Sequence, residues 1–306
     1  MKTKFLLLVV GLLICFGSSI TVNAMSEKYY QQLNSDQKKI YNEMLNHFYG
    51  ADSTEFYSDI NRTFTGIPMD IAIEPYKNNA LIAYSALLND YPDFYWATQI
   101  SLSFTGGNLM SESEVKSSTI YKVLYYLNVD STVTKQEVYE KNLLKAIRAI
   151  NKKTKKKKSD YQRILAIHKY ICKNTKYDIK HVGNTAAKYH YLHTAYGVFV
   201  KKKAVCDGYS IAFKELCDYY KIPCMIVYGR VKNKYGVYEN HAWNVVKLKK
   251  KWYAVDSTWD DSSKSKTWFL CGRKQLKKTH MEITANADVL QKGVFSYPKI
   301  NKKSYK

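Results

Sequence analysis

Apolar and polar positions change period several times along this chain, and each change marks an element. After Ser35, the residues Ile40, Met44, Leu45 and Phe48 recur at three- and four-residue spacing, which predicts a helix with one buried face. Ser35 is its expected cap and Gly50 its expected stop. A second helix is predicted from Asn78 to Leu88, ending before Tyr91-Pro92, because proline disfavours helical backbone in the residue it follows. Two runs rich in Tyr, Ile, Leu and Val then read as strands, Phe94 to Phe104 and Thr119 to Val129, around a loop with Gly106-Gly107.

A helical pattern returns from Lys135 to Ile150, followed by the basic run Lys152 to Lys158, either an anion-binding patch or a solvated connector. Ser159 is placed to cap the next helix, whose face is Ile164, Leu165, His168, Ile171 and Cys172. His168 and Cys172, one turn apart, are either a ligand pair or part of a packed face. A further helix follows Cys206, with Ala212, Phe213, Leu216, Cys217 and Tyr220 on one side and Pro223 closing it. Three strands are expected next, Cys224 to Val231, Asn240 to Leu248 and Lys251 to Ser257. A helix followed by an antiparallel meander is an α+β arrangement.

The N-terminus changes the picture of compartment. Lys2 and Lys4 precede an apolar run from Phe5 to Phe16, and Val22-Asn23-Ala24 provides a small-residue cleavage site. This is the layout of a secretory signal peptide over residues 1–24, and the expected location is secreted, extracellular or associated with a cell wall. Residues 25–134 then form an N-terminal α+β region of unassigned role, and residues 135–306 the main domain. The balance of 48 Lys+Arg against 26 Asp+Glu, a net +22, favours anionic surroundings such as cell-wall polymers. The lysine run carries no interleaved aromatics, so no specific nucleic-acid partner is expected. Beyond the leader, Cys172, Cys206, Cys217, Cys224 and Cys271 are an odd set without CxxC pairs, which argues against a zinc site. Cys217 and Cys224 are either a disulfide or two reduced thiols.

Candidate chemistry begins at Cys206. It directly precedes a predicted helix, where the positive end of the dipole favours a thiolate, and Gly208 permits close approach. His241 starts one strand and Asp256 ends the next. If Lys249-Lys250 make a two-residue turn, Leu248 faces Lys251, Trp243 faces Asp256, and His241 and Asp256 become diagonal neighbours on one face. The carboxylate would then orient the imidazole while its other nitrogen faces the thiol. Asp256 has a competing reading as the cap of the turn that follows. His181, His190 and His193, upstream of the thiol, either line a cleft or are ordinary loop residues.

These motifs carry a resemblance. Cys206 with its helix, His241-Ala242-Trp243-Asn244, and Trp252-Tyr253-Ala254-Val255-Asp256-Ser257-Thr258-Trp259-Asp260 are similar to the catalytic core of the transglutaminase-like superfamily, especially bacterial exported members. The similarity runs from about Ala186 to about Leu270. It implies a papain-like α+β fold, a Cys206-His241-Asp256 triad, and acyl transfer through a thioester on protein or peptide substrates. Tyr196, Trp243 and Trp259 are candidate cleft residues. No metal or organic cofactor is expected. The rival reading is a non-catalytic cell-wall or surface-binding module that uses its positive charge.

Overall fold

The computed structural model describes residues 28–50, 61–65, 73–92, 94, 97–105, 122–129, 136–154, 159–184, 186–282 and 295–306. The signal-peptide reading and most of the lysine run lie outside the described residues. No helix among the described residues is long and apolar enough to cross a membrane.

Helix α1 spans Ser35–Gly50. Its cap is Asn34, one residue earlier than expected: the Asn34 carbonyl oxygen Oδ1 accepts from the Gln37 N–H, and Gln37 Oε1 accepts from the Asn34 N–H. This reciprocal pair satisfies two donors at once, which Ser35, already inside the helix, cannot do. Helix α2 spans Ile73–Asp90 and starts five residues before the predicted boundary. Pro75 sits in its first turn, where a missing N–H leaves no helical bond unmade. Strands β1 (Asn61–Thr65), β2 (Ala97–Thr105) and β3 (Lys122–Val129) form an antiparallel sheet in the order β1-β3-β2.

Helices α3 (Gln136–Thr154) and α4 (Asp160–Asn174) follow, with Ser159 capping α4 through the Gln162 N–H. Short strands β4 (Lys176–Tyr177) and β5 (Lys203–Ala204) pair in parallel just before helix α5, Cys206–Tyr219. Then come β6 (Cys224–Lys232), β7 (Tyr238–Leu248), β8 (Lys251–Val255), helix α6 (Ser257–Ser263) and β9 (His280–Glu282). The sheet order β8-β7-β6-β9 extends the expected meander by an edge strand that the sequence pattern did not announce. Strand β8 stops at Val255, short of the predicted Ser257, because Asp256 caps α6.

The turn between β7 and β8 has the expected register, Leu248 opposite Lys251. Lys249 and Lys250 hold φ of 48° and 65°. Left-handed backbone at both positions suits the twist of a two-residue hairpin, although these residues carry a Cβ that glycine would lack. The Lys249 ammonium lies 5.5 Å from the centre of the Tyr305 ring.

Both faces of this sheet are buried, and the two-residue period divides its side chains between two cores. Val245 and Ala254 join Ile40, Tyr41, Met44, Tyr84 and Leu87 of α1 and α2. Val246 and Val255 join Ile147, Ile171, Phe213 and Leu216 of α3, α4 and α5. The packing therefore crosses the line drawn at residue 134. The Tyr29 hydroxyl donates to the Ile226 carbonyl, and buried Lys214 donates to the Asp90 carbonyl at 3.3 Å. Burial lifts the Asp90 carboxyl to about 6, although Lys214 and three hydrogen-bond donors oppose the shift.

Candidate active site

Cys206 is the first residue of α5, where its backbone N–H has no carbonyl one turn earlier to bond. The helix start is pinned from behind. Val205 donates its N–H to the Leu192 carbonyl at 2.9 Å, and a Cβ on Gly208 would meet that same carbonyl oxygen at 2.5 Å. Gly208 is thus required by the chain's own backbone. From the other side, buried Asn244 of β7 donates to the Ser210 carbonyl at 2.9 Å, tying the sheet to the helix that carries the thiol.

His241 and Asp256 meet. The imidazole Nε2 lies 2.8 Å from Asp256 Oδ2. With Nε2 committed there, Nδ1 is the nitrogen left for another partner, and the Cys206 thiol acts on the imidazole as well. The capping reading of Asp256 is realised at the same time: Oδ1 accepts the N–H groups of Thr258 and Trp259, each at 3.0 Å. One oxygen starts α6 and the other orients the imidazole, so the two sequence readings were not alternatives.

A third group shares this carboxylate. His280 Nε2 lies 3.1 Å from the same Oδ2. Sequence reasoning missed it because His280 sits on a three-residue edge strand with no periodic pattern. His241 and Asp256 are 8% and 1% exposed, and His280 is 5% exposed. Burial opposes the charge on His241, but Asp256, and then Cys206, outweigh it and raise the imidazole to about 10. Burial likewise opposes the charge on Asp256, yet His241 and His280 hold its carboxyl well below the usual range. For His280 the burial cost prevails over Asp256, so its pKa is lowered. The pair therefore reads as carboxylate with imidazolium, beside a neutral second imidazole.

His241, Asp256 and His280 bring three ligand-type atoms within 4.8 Å of one another, the grouping among the described residues with metal-ligand spacing. Their 2.8 and 3.1 Å separations are those of hydrogen bonds, and the carboxylate already receives four donors.

Other expected residues are distributed differently. His193 Nδ1 lies 2.7 Å from Oδ2 of Asp207, the residue that follows Cys206 in the chain. His181 instead bonds Asp178 at 2.9 Å and stacks on Tyr189. Tyr196, expected in the cleft, is a correction: it is packed in the second core, stacked on Tyr139. Trp243 is also fully buried, because glycine at position 229 leaves room for its ring. It supports His241 from behind, with ring centres 6.2 Å apart. Trp259 stays partly exposed, its ring centre 5.9 Å from that of His241. Burial chiefly, with the Cys206 and Asp207 charges, pushes the phenols of Tyr177 and Tyr228 up; sequence reasoning had not singled out either.

All five described cysteines are free, so Cys217 and Cys224 are reduced. Burial chiefly raises the Cys172 and Cys271 thiols, each to about 12, and lifts Cys217 well above its ordinary value. His168 bonds Asp260 at 3.0 Å on a packed face. A cavity of about 250 Å³ beside it is lined by neither Cys206, His241 nor Asp256.

Residues 148–257, which contain all three of these side chains, match the family model of the transglutaminase-like superfamily. This segment is a transglutaminase-like domain. Curated relatives of the domain include the kyphoscoliosis peptidases of Mus musculus and Homo sapiens, 31% and 32% identical over 123 residues. That stretch is 37% of this chain and 18% of each relative's length. Among solved structures, one described as a TGase is 22% identical, with a TM-score of 0.35 over 52% of this chain and 44% of the other.

Proposed function

We propose that this protein is an exported cysteine enzyme that attacks amide carbonyls of protein or peptide substrates, forming a thioester on Cys206. The observation that carries the reading is the Asp256–His241 contact at 2.8 Å, with the thiol of Cys206 at a helix start among the groups that act on the imidazole. A thiolate held by an imidazolium is the reactive form of such a pair. Its sulfur adds to the amide carbon, the C–N bond breaks, and His241 supplies the proton to departing ammonia or amine. Water or a second amine then attacks the thioester, gives its proton to His241 and releases the thiolate. The Cys206 N–H, pointing out of the first turn of α5, is the natural donor to the oxyanion. Half-buried Trp259 shields the thioester from bulk water.

The test is to incubate purified protein with a glutamine-containing casein and a labelled primary amine, measuring ammonia release and label incorporation. Both signals, lost in Cys206→Ala, support acyl transfer to amines. Ammonia alone supports hydrolysis, and new peptide ends without ammonia support a peptidase. No Cys206-dependent product in any channel overturns the enzymatic reading and leaves the charged binding module.

A further inference from the structure

We propose that His280 is a positioning residue of this site, donating from Nε2 to Asp256 Oδ2 and so fixing the oxygen that orients His241. The proposal rests on the reading of Cys206, His241 and Asp256 as the reacting unit. Asp256 Oδ1 is already held by the Thr258 and Trp259 N–H groups, and with His280 each oxygen has two donors. A carboxylate bound at both oxygens by four donors cannot rotate away from the imidazole it serves. His280 is itself built in. Its Nδ1 lies 2.9 Å from the Thr279 hydroxyl, which donates to it when Nε2 carries the proton. The rings of Trp243, Trp259 and Trp268 surround it with centres at 5.0, 4.8 and 4.6 Å. Strand β9 brings it there by pairing His280 with Val231 of β6. Gly229 makes that approach possible, because any Cβ would collide with the Met281 carbonyl and the Trp243 ring.

Two variants separate a donor from a space-filler. His280→Gln keeps an N–H for Asp256, and His280→Leu keeps bulk without one. The readout is the rate of Cys206 alkylation by iodoacetamide from pH 5 to 10, with thermal unfolding as the control for folding. Loss of a hydrogen bond to a charged group predicts alkylation roughly ten- to a hundredfold slower at pH 6 for His280→Leu, with an altered pH profile. His280→Gln is expected within about threefold of wild type, since amide and imidazole donors differ less than donor and none. A folded His280→Leu protein with the wild-type rate and profile overturns the proposal, as does a folded His280→Gln protein as slow as His280→Leu.

A measurement on the unmodified protein decides the matter if the variants do not fold. The ¹⁵N shifts of His280 should show a proton on Nε2; a neutral ring protonated only at Nδ1 has no donor there and overturns the assignment. Wild-type Cys206 alkylating at pH 6 no faster than an ordinary exposed thiol would instead sink the reading of the site, while the His280 spectrum still reports on its bond to Asp256.

Discussion

Replacing Asp256 by Asn separates the two tasks this side chain performs. The amide oxygen can go on accepting from Thr258 and Trp259, so the start of α6 survives. The amide nitrogen then points at the Nε2 atoms of His241 and His280, where the carboxylate now accepts at 2.8 and 3.1 Å. Two donors cannot face each other in a buried site, so His241 must give up its Nε2 proton and stay neutral with its one proton on Nδ1, the nitrogen proposed to serve Cys206. It can then no longer take the thiol proton. The equivalent change in the serine-protease triad costs about 10⁴ in turnover, and a loss of about 10³–10⁴ in amide turnover is expected here. Alkylation should fall less, about a hundredfold at pH 6, because an unassisted thiol is then roughly 0.3% thiolate and the thiolate it forms is more nucleophilic. Asp256→Ala should lose the helix cap as well, adding about 1 kcal/mol of destabilisation relative to Asn. Iodoacetamide kinetics followed by mass spectrometry, with urea unfolding of both variants, measure these quantities. Asp256→Asn alkylating within threefold of wild type at pH 6, while folded, would refute the orientation argument.

Three further outcomes follow from the geometry. The raised His241 imidazole contributes stability that is complete below its ordinary value near 6.5 and lost as pH climbs through about 10. The depressed Asp256 carboxyl contributes stability above the ordinary carboxylate value, lost only as pH falls well below it. The Tm gap between wild type and Asp256→Asn should therefore narrow from pH 7 to pH 10, and a constant gap would contradict the ion pair. Gly208→Ala should destabilise by about 1–3 kcal/mol despite the better helix propensity of alanine, because the new Cβ meets the Leu192 carbonyl oxygen at 2.5 Å; a higher Tm would contradict this. Lys250→Gly should stabilise by about 0.5–1 kcal/mol in urea unfolding by relieving the left-handed backbone, with Cys206 alkylation unchanged; unchanged or lower stability would show that the turn is unstrained.

Much of the site was legible because its parts are local. Cys206 could be placed at a helix start because apolar spacing after it is helical, and the Lys249-Lys250 turn set the β7–β8 register by counting. Asp256 was legible in both roles, yet sequence offered them as rivals, since a string of residues does not show that a carboxylate has two oxygens facing different ways. Tyr196 was misplaced for a related reason: an aromatic near Cys206 in sequence looks the same whether it lines a cleft or packs against Tyr139.

The sequence by itself determined the helices, the meander, and the order in which thiol, imidazole and carboxylate appear, because periodicity and turn length act between neighbours. Tertiary structure alone decided that α1 and α2 close one face of the sheet, that Asn244 ties β7 to α5, and that His280 joins Asp256. His280 is 24 residues from Asp256 along the chain and arrives through an edge strand of three residues. Contacts of that kind are fixed by which surfaces bury one another, and no local pattern encodes them.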